Sequence, residues 1–323
     1  MKSRLVGRAA LLWIAQVASI VFAVLVIAVR PAPGHSPLPR PEHVVIVIEE
    51  NHSYRQIIGS AAAPYLNALA RAGANFTNAH GITHPSGPNY FALFAGRRVS
   101  SGDDCPERGI APTESNLGTE LLAAHLGYIA YSESLPRPGF RGCAAGLYAR
   151  KHAPWVHFTN LPSESHQPLD SLKAYDTLPT VTFIVPNVDH DMHDGTVRAG
   201  DDWFETEIGP LARWARTHGT LLVVLWDEGF DPQNTIPTIF FGPMVKPGSY
   251  AEPINAYVIL RTIEDMYGLA RLGHAADVKA IDDVWVGRST ARHRLRLGRI
   301  VSAPSTGAPA GASPTLRHFP NPQ

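Results

Sequence analysis

Acidic and amide side chains follow directly after three apolar segments of this sequence. The segments and the residues after them are 43–48 with Glu50 and Asn51, 180–185 with Asn187 and Asp191, and 221–226 with Asp227 and Glu228. If the segments are strands of one sheet, these oxygen atoms converge, and close carboxylates repel one another unless a cation lies among them. Oxygen-rich sets prefer a hard divalent cation. The three segments together predict a metal site, although an ordinary loop or helix cap explains any single pair as well.

The densest polar patch is the segment VPNVDHDMHDG, residues 185–195, where three aspartates and two histidines fall within six residues. A solvated surface turn would accept the same residues. The patch follows a segment with the pattern of a strand buried on both faces, which favours a functional loop. His193 is its first candidate for a general acid.

A candidate nucleophile lies in the segment GITHPSGPNYFALFAG, residues 81–96. Ser86 stands between Pro85 and Gly87, just before a predicted helix that begins near Pro88. The free N–H groups and positive dipole end of a helix amino terminus suit a phosphate oxyanion. A metal-activated serine there could attack phosphorus. On this segment alone a simple helix cap explains the serine better, so the assignment depends on the joint pattern.

The elements that carry these residues alternate between strand-like and helix-like patterns. Apolar β-rich runs lie at 43–48, 128–131, 180–185, 221–226 and 238–241, and helical spacing lies at 63–72, 116–125, 203–217 and 257–267. The runs lack polar alternation, which indicates strands covered on both faces. This order predicts a mainly parallel sheet with helices on both sides, in which ligands bind beyond the carboxyl ends of the strands.

The composition is typical of a globular chain and speaks against binding of nucleic acid. Of the 323 residues, 45% are hydrophobic and 17% are charged, as expected for a chain with a core. The 28 basic and 28 acidic residues leave no formal net charge. Because nucleic-acid-binding proteins usually carry a basic excess, we expect no nucleic-acid partner.

The first 30 residues predict a topogenic segment. Lys2, Arg4 and Arg8 precede an uncharged run from residue 9 to residue 29. A cleavable signal has a shorter apolar run of about 7–15 residues, whereas a spanning helix needs roughly 20. We therefore favour a membrane anchor over a removed signal peptide, and either places the rest of the chain outside the cytoplasm.

Segments of biased composition bound the predicted catalytic domain, residues 43–290. Residues 31–42 hold five prolines and predict an extended linker. Residues 291–323, rich in Pro, Ala, Ser and Gly, predict a disordered tail. The two cysteines, Cys105 and Cys143, fit an exported domain with one disulfide, and two free buried thiols are the alternative.

The same segments resemble the phosphoesterase family that contains bacterial phospholipases C and secreted acid phosphatases. The resemblance is carried, in family order from about residue 43 to 270, by VVIVIEENHS, APYLNALARAGANF, THPSGPNYFALFAG, YARKHAPWVHFTN, VPNVDHDMHDG, LLVVLWDE, IPTIFFG and LRTIEDMYGL. It implies an α/β fold of the alkaline-phosphatase-like type, a three-layer α/β/α sandwich with a mainly parallel central sheet.

The resemblance also implies roles for individual residues. One divalent cation (Mg, Ca, Mn or Fe) would be held beside Ser86 by Glu50, Asn51, Asp227 and Glu228. The residues that would assist catalysis are His84, Asp191 and His193. Those that would contact substrate are Asn89, Asn187, Arg150, Lys151 and His152, although a solvated turn explains the last three as well.

One position departs from the family pattern. The family usually has a histidine shortly before LRTIE, where this chain has Ala256 in the segment INAYVILRTIE. If that histidine is a ligand or a proton donor, its loss reduces activity or moves the pH optimum. His80 and His190 are local candidates to compensate.

The expected function is that of an exported, metal-assisted acid phosphatase acting on phosphomonoesters through a phosphoserine intermediate. Its substrates would be small phosphorylated molecules or phosphoinositide lipids such as phosphatidylinositol 3-phosphate. A phospholipase C-type phosphodiesterase is the first alternative, less favoured because the chain lacks long extra lobes. An inactive surface-binding relative is the second alternative, motivated by Ala256.

Overall fold

The computed structural model describes residues 38–99, 102–103 and 105–287. Residues 1–30, 31–37 and 291–323, which hold the predicted anchor, most of the linker and the tail, lie outside these ranges, so those assignments and the domain boundaries stay predictions. Within the described part of the chain, no helix combines the length and the apolar character needed to cross a membrane.

Eight strands of the described residues form one sheet, and two more form a short hairpin. The strands are β1 (His43–Glu49), β2 (Ala74–Phe76), β3 (Tyr128–Ser132), β4 (Ala144–Ala145), β5 (Tyr148–Ala149), β6 (His166–Pro168), β7 (Val181–Val185), β8 (Thr220–Trp226), β9 (Thr238–Phe241) and β10 (Gly248–Tyr250). The order across the sheet is β10-β2-β9-β8-β1-β7-β3-β6, and β4 pairs with β5. All pairs in the sheet are parallel except those of β9 with β8 and with β2. Flanked by helices, this mostly parallel sheet is the predicted α/β fold.

The α-helices of the described residues are α1 (Tyr54–Ile57), α2 (Pro64–Ala72), α3 (Ser86–Ala95), α4 (Leu117–Ala123), α5 (Val197–Trp203), α6 (Gly209–Ala215) and α7 (Ala256–Tyr267). A π-helical turn, Phe204–Ile208, joins α5 to α6. The sequence pattern predicts one helix over 203–217. Pro210 lies in the first turn of α6 and has no N–H to continue the regular α-helical bonds, so the helix changes its hydrogen bonding there.

Strand β1 lies in the middle of the sheet because both of its faces are apolar. Val44 to Ile48 are at most 2% exposed, and each fully buried side chain of this size contributes about 1.5–3 kcal/mol. In the parallel ladders Glu49 is level with Trp226 of β8, and Val47 is level with Ile184 of β7. The residues that follow these three strands therefore leave the sheet at one edge.

Strand β9 runs antiparallel to β8, which the alternating pattern does not indicate. Only residues 227–237 connect the two strands, and a parallel crossover needs a dozen or more residues, usually with a helix. The edge strands β6 and β10, and β2 next to β10, have three residues each, too short to show an apolar run. The sequence therefore predicts the centre of the sheet better than its edges.

Helix α3, which begins at the candidate nucleophile, is enclosed by the rest of the fold, and all ten of its residues are buried. The helix ends at Gly96, whose φ is 66°. A side chain at Gly96 would come within 2.1 Å of Leu272 O, and His274 N donates to Gly96 O at 2.8 Å. The left-handed conformation and the close approach both require glycine, and they fix the carboxyl end of α3 against the segment after α7.

Glu264 of α7 also binds the segment that contacts Gly96, since its Oε1 accepts from Leu272 N at 2.8 Å. Burial raises the pKa of Glu264 from 4.5 to about 7. Because the folded state binds this proton more tightly, the group's contribution to stability is largest below the unfolded pKa and falls as pH rises towards the folded one. Glu264→Gln keeps the acceptor but has no titratable group, so its free energy of unfolding should not decline in this way. The difference between the two proteins is on the order of 3 kcal/mol at most. Urea unfolding from about pH 5 to pH 8 measures it, and identical pH profiles for the two proteins would contradict it.

The predicted disulfide is present, with the Cα atoms of Cys105 and Cys143 5.8 Å apart. The two residues are 38 positions apart in the chain, and closing a loop of that length stabilises a fold by roughly 4 kcal/mol in the chain-entropy model. The bond fixes the segment after α3 to the hairpin of β4 and β5.

Candidate active site

Nine of the residues predicted from the sequence lie together at the carboxyl edge of the sheet. They are Glu50, Asn51, His84, Ser86, Lys151, Asp191, His193, Asp227 and Glu228. Strands β1, β7 and β8 carry the acids and the amide to this edge, and α3 begins at it. Their roles as catalytic residues and metal ligands stay predictions, and the contacts below describe what the arrangement can do.

Ser86 is the first residue of α3 and is 2% exposed. Its hydroxyl donates a hydrogen bond to Glu50 Oε2 at 2.9 Å. Pro85, which precedes the helix, gives no side-chain cap to its first turn. A hydroxyl held by a carboxylate beside the positive end of a helix is placed to act as a nucleophile towards an anionic group.

Glu50 is fully buried, and different groups contact its two oxygens. Oε1 accepts from Tyr90 Oη at 2.7 Å and lies 3.0 Å from His152 Nε2. The His152 ring stacks on Tyr90 with the ring centroids 5.4 Å apart, and its Nδ1 lies 3.0 Å from Asp191 Oδ2. His152 Nε2 is near Glu50 but not aligned with it for a hydrogen bond, so this nitrogen has no hydrogen-bond partner.

A second group of acids follows β8. Asp227 Oδ1 accepts from the backbone N–H of Asn51 at 3.1 Å. Asn51 has a φ of 58°, a left-handed conformation that asparagine tolerates better than most residues. Glu228 Oε2 lies 2.7 Å from His84 Nδ1, and the His84 side chain is 52% exposed. His84 therefore connects a buried carboxylate with solvent.

Lys151 and His193 bring the basic groups of the site together. Lys151 Nζ lies 2.9 Å from His193 Nε2. An ammonium group only donates, so His193 Nε2 accepts and the ring proton lies on Nδ1, which is 2.7 Å from Asp194 Oδ1. The pair combines an ammonium group with an imidazole whose other nitrogen contacts the exposed Asp194.

Burial raises the pKa values of the acids in this cluster. For Glu50, burial is the largest cause and is followed by the charges of Asp227 and Asp191. For Asp227, burial is followed by the charge of Glu228. Burial also lowers the pKa of His152 well below 6.5, which leaves its ring neutral. So many carboxylates in one place require shared protons or a cation.

Three buried oxygens of the cluster have no hydrogen-bond partner, Asn51 Oδ1, Asp191 Oδ2 and Asp227 Oδ2. Buried polar atoms are rarely left without a partner, and amide and carboxylate oxygens are ligands of hard cations. Glu50, Asn51 and Asp227 thus offer donors of the kind that the predicted metal site requires. A second possible set is Glu50, His152 and His193, whose ligand atoms lie within 4.8 Å of one another. Its nitrogen atoms would suit a transition metal better than Mg or Ca.

Three residues predicted to contact substrate instead form hydrogen bonds with other parts of the chain. Asn89 binds four backbone groups of the segment 82–85. Asn187 accepts from Asp189 N and His190 N and donates to Ser134 Oγ. Arg150 is 7% exposed and makes two bonds to Glu107. These contacts favour roles in holding the loops of the site over direct contact with substrate.

Three other residues contribute to the site in ways that the sequence does not indicate. His152, expected to contact substrate, is 2% exposed and lies against Tyr90 and Glu50, which does not favour direct contact with substrate. Tyr90 lies four residues after Ser86, one turn along α3, and helical spacing is the signal that could have found it. Asp103 lies in a loop without periodicity, and nothing in its sequence neighbourhood points to the site.

Ala256 begins α7 beside the second group of acids. With His80, Asn89 and Asp227 it lines a cavity of about 10 Å³, room for about one water. His80 is bound to Gln233 O and Asn78 Oδ1, each at 2.8 Å, and His190 contacts Glu133 at 2.9 Å. Both histidines are thus engaged elsewhere, which does not favour either as a replacement for the missing one.

Comparison with known proteins gives one family and several relatives. The model of the phosphoesterase family matches residues 60–270. The phosphatidylinositol-3-phosphatase of Mycobacterium tuberculosis is 46% identical over 255 residues, 77% of this chain and 85% of that protein. A probable acid phosphatase of Kluyveromyces lactis is 28% identical and a phosphate-repressible acid phosphatase of Penicillium chrysogenum is 30% identical. The matches cover 74% and 64% of this chain but only 61% and 55% of those two proteins.

Two solved structures show a similar fold. A protein of the alkaline phosphatase superfamily from Vibrio parahaemolyticus matches with a TM-score of 0.52 and 12% identity, covering 76% of this chain and 73% of that one. The phosphonate monoester hydrolase of Silicibacter pomeroyi matches with a TM-score of 0.50 and 14% identity, covering 78% of each chain. At this identity the likeness concerns the fold alone.

Proposed function

The chain belongs to the phosphoesterase family, and from that membership we propose that it is a metal-assisted phosphoric monoester hydrolase that works outside the cytoplasm with Ser86 as its nucleophile. The observation that carries the proposal is the hydrogen bond from Ser86 Oγ to Glu50 Oε2, 2.9 Å long, at the start of a buried helix. The predicted topogenic segment and the disulfide support export, because disulfides persist in oxidising compartments.

In the first step the Ser86 oxygen bonds to phosphorus and its proton passes to Glu50. Lys151 and the N–H groups at the start of α3 stabilise the phosphoryl oxygens. The bond from phosphorus to the leaving oxygen breaks, and that oxygen takes a proton from the pair of Lys151 and His193. His84, which is half exposed and held by Glu228, is the second candidate for this donor.

In the second step a water molecule attacks the phosphoserine. It gives one proton to the basic group that protonated the leaving oxygen, and the Ser86 oxygen recovers its proton from Glu50 as phosphate departs. Each acid or base thus returns to its starting state. Asp191 contributes by accepting a hydrogen bond from the backbone N–H of His193, and its other oxygen lies 3.0 Å from His152 Nδ1.

The cation of this proposal would be held by Glu50, Asn51 and Asp227, with Glu228 beside them. A bound divalent cation supplies positive charge against the phosphoryl and serine oxygens. The unpartnered oxygens of Asn51 and Asp227 support this set. The mixed set with His152 and His193 remains the alternative, and the two are separated experimentally below.

The proposed substrate class is the phosphate monoester of a lipid headgroup, including phosphatidylinositol 3-phosphate. The support is the 46% identity to a relative named for that activity. Phosphate release from phosphoinositides, nucleotides, p-nitrophenyl phosphate and a choline phosphodiester, with and without chelator over about pH 4 to pH 9, tests the proposal. We expect release from monoesters and none from the diester. Cleavage of the diester alone would favour the phospholipase C alternative, and bound metal without any hydrolysis would favour the inactive relative.

Restoring the family's usual histidine at position 256 should raise turnover. Ala256 lines the cavity next to Asp227, so an imidazole there would lie beside the second group of acids once the lining has adjusted. The kcat of Ala256→His on p-nitrophenyl phosphate measures the effect, and Ala256→Asn, similar in size but without a titratable group, is the matched control. An unchanged kcat would show that the position has no catalytic role in this chain.

A further inference from the structure

Asp103, which lies between Gly102 and the disulfide, places its carboxylate beside the nucleophile. Its Oδ1 accepts from the backbone N–H of Gly87 at 2.7 Å. Its Oδ2 lies 3.1 Å from Lys151 Nζ. One carboxylate therefore contacts both a first-turn N–H of α3 and the ammonium group of Lys151. These are the donors that the proposed mechanism offers to the phosphoryl oxygens.

The loop that carries Asp103 is fitted against the turn of Ser86. A side chain at Gly87 would come within 2.7 Å of Gly102 O, so only glycine allows the loop to lie this close. Two residues after Asp103 the chain is fixed by the disulfide to Cys143, whose carbonyl accepts from Arg150 N at 3.0 Å. The disulfide thus keeps Asp103 near Lys151, the neighbour of Arg150.

The contact between Asp103 and Lys151 can be broken by an incoming anion. Their side chains are 27% and 24% exposed, so solvent and solutes reach both. An ion pair of this exposure contributes only about 1 kcal/mol or less. A phosphoryl group with two negative charges can replace the carboxylate on both donors, whereas a weaker anion competes less well.

We propose that Asp103 occupies the position of the substrate's phosphoryl oxygens and is displaced when substrate binds, so that it sets the affinity of the site for phosphate. The inference rests on the proposed function, because that function places the phosphoryl group on Gly87 N–H and Lys151. Asp103 is on this view a specificity-determining residue. It favours a doubly charged phosphate monoester over singly charged anions.

The simpler alternative is that Asp103 only caps α3, which has no side-chain cap of its own from Pro85. Asp103→Asn separates the two roles, because the amide oxygen still accepts from Gly87 N while the negative charge on Lys151 is removed. Asp103→Ala removes both. Asp202→Asn removes one carboxylate from a surface pair with Arg198 on α5 and controls for the change in net charge.

The test measures KM for p-nitrophenyl phosphate, the inhibition constant of inorganic phosphate, and phosphate binding by calorimetry, all on the full chain. We expect Asp103→Asn to lower both constants by about three- to tenfold, the effect of losing a partly exposed competing ion pair. Adding Lys151→Met should cancel most of this gain, because the released donor is then absent.

Two results would overturn the inference. If Asp103→Asn binds phosphate like the wild type while Asp103→Ala loses thermal stability and kcat, the residue is only a cap. If both variants bind phosphate more weakly, Asp103 positions Lys151 and does not compete. Calorimetry needs no turnover, so a wild-type chain that hydrolyses no phosphoester would end the proposed function and leave the phosphate-binding comparison able to decide the role of Asp103.

Discussion

Replacing Ser86 with alanine should lower kcat by about 10⁴-fold or more, as expected when a residue that forms a covalent intermediate is removed. The hydroxyl is 2% exposed and donates to Glu50, and no other hydroxyl is placed by the described contacts at both that carboxylate and the start of α3. The measurement is the rate of p-nitrophenyl phosphate hydrolysis. A rapid acid quench with labelled substrate should in addition trap phosphoserine in the wild type and none in Ser86→Ala.

The control must show that the variant is folded. Ser165 is similarly buried, and its hydroxyl donates to Pro162 O at 2.7 Å, away from the acids of the site. Ser165→Ala should keep the wild-type rate. Its free energy of unfolding should fall by about 1 kcal/mol, as is expected for Ser86→Ala, because each variant loses one hydrogen bond. If Ser86→Ala were folded and within about tenfold of the wild-type rate, a nucleophilic role for Ser86 would be excluded.

The middle of the sheet and its functional edge were predictable because both follow from local patterns. Apolar runs without alternation mark the strands covered on two faces, and parallel register brings their carboxyl ends to one edge. Glu50, Asp227 and Glu228 could be placed there before any coordinates. The antiparallel direction of β9 was not predictable from that rule, since it depends on the length of the connection from β8.

The basic side of the site could not be predicted in the same way. Lys151 and His193 are 42 positions apart and meet at 2.9 Å, but they lie in loops whose course depends on packing rather than on periodicity. Arg150 and Lys151 are adjacent, yet one is buried against Glu107 and the other reaches Asp103, which accepts from the backbone N–H next to Ser86. A sequence shows that a loop is basic, whereas the fold decides which of two neighbouring cations points into the site.

Asp227→Asn should abolish binding of the proposed cation, and this is the second large effect that we expect. The amide that replaces the carboxylate still offers an oxygen to Asn51 N–H, so the bond of 3.1 Å is kept. The unpartnered Oδ2 becomes an NH₂ group, which cannot ligate a metal. We expect kcat/KM to fall by about 10²–10³-fold, the size of effect seen when strong charge stabilisation is removed from an active site. Metal content after dialysis, measured by mass spectrometry, should fall from about one cation per chain to well below that.

The same measurement on His152→Asn separates the two possible ligand sets. His152 belongs only to the set with Glu50 and His193, so metal retained in His152→Asn but lost in Asp227→Asn would assign the cation to the oxygen set. The reverse result would assign it to the nitrogen-containing set and favour a transition metal. Asp202→Asn should behave as the wild type in both assays.

Retention of a full cation and of the wild-type rate in Asp227→Asn would refute the oxygen site. The repulsion among the buried carboxylates would then have to be relieved by protons shared between Glu50, Asp191 and Asp227, as their raised pKa values allow.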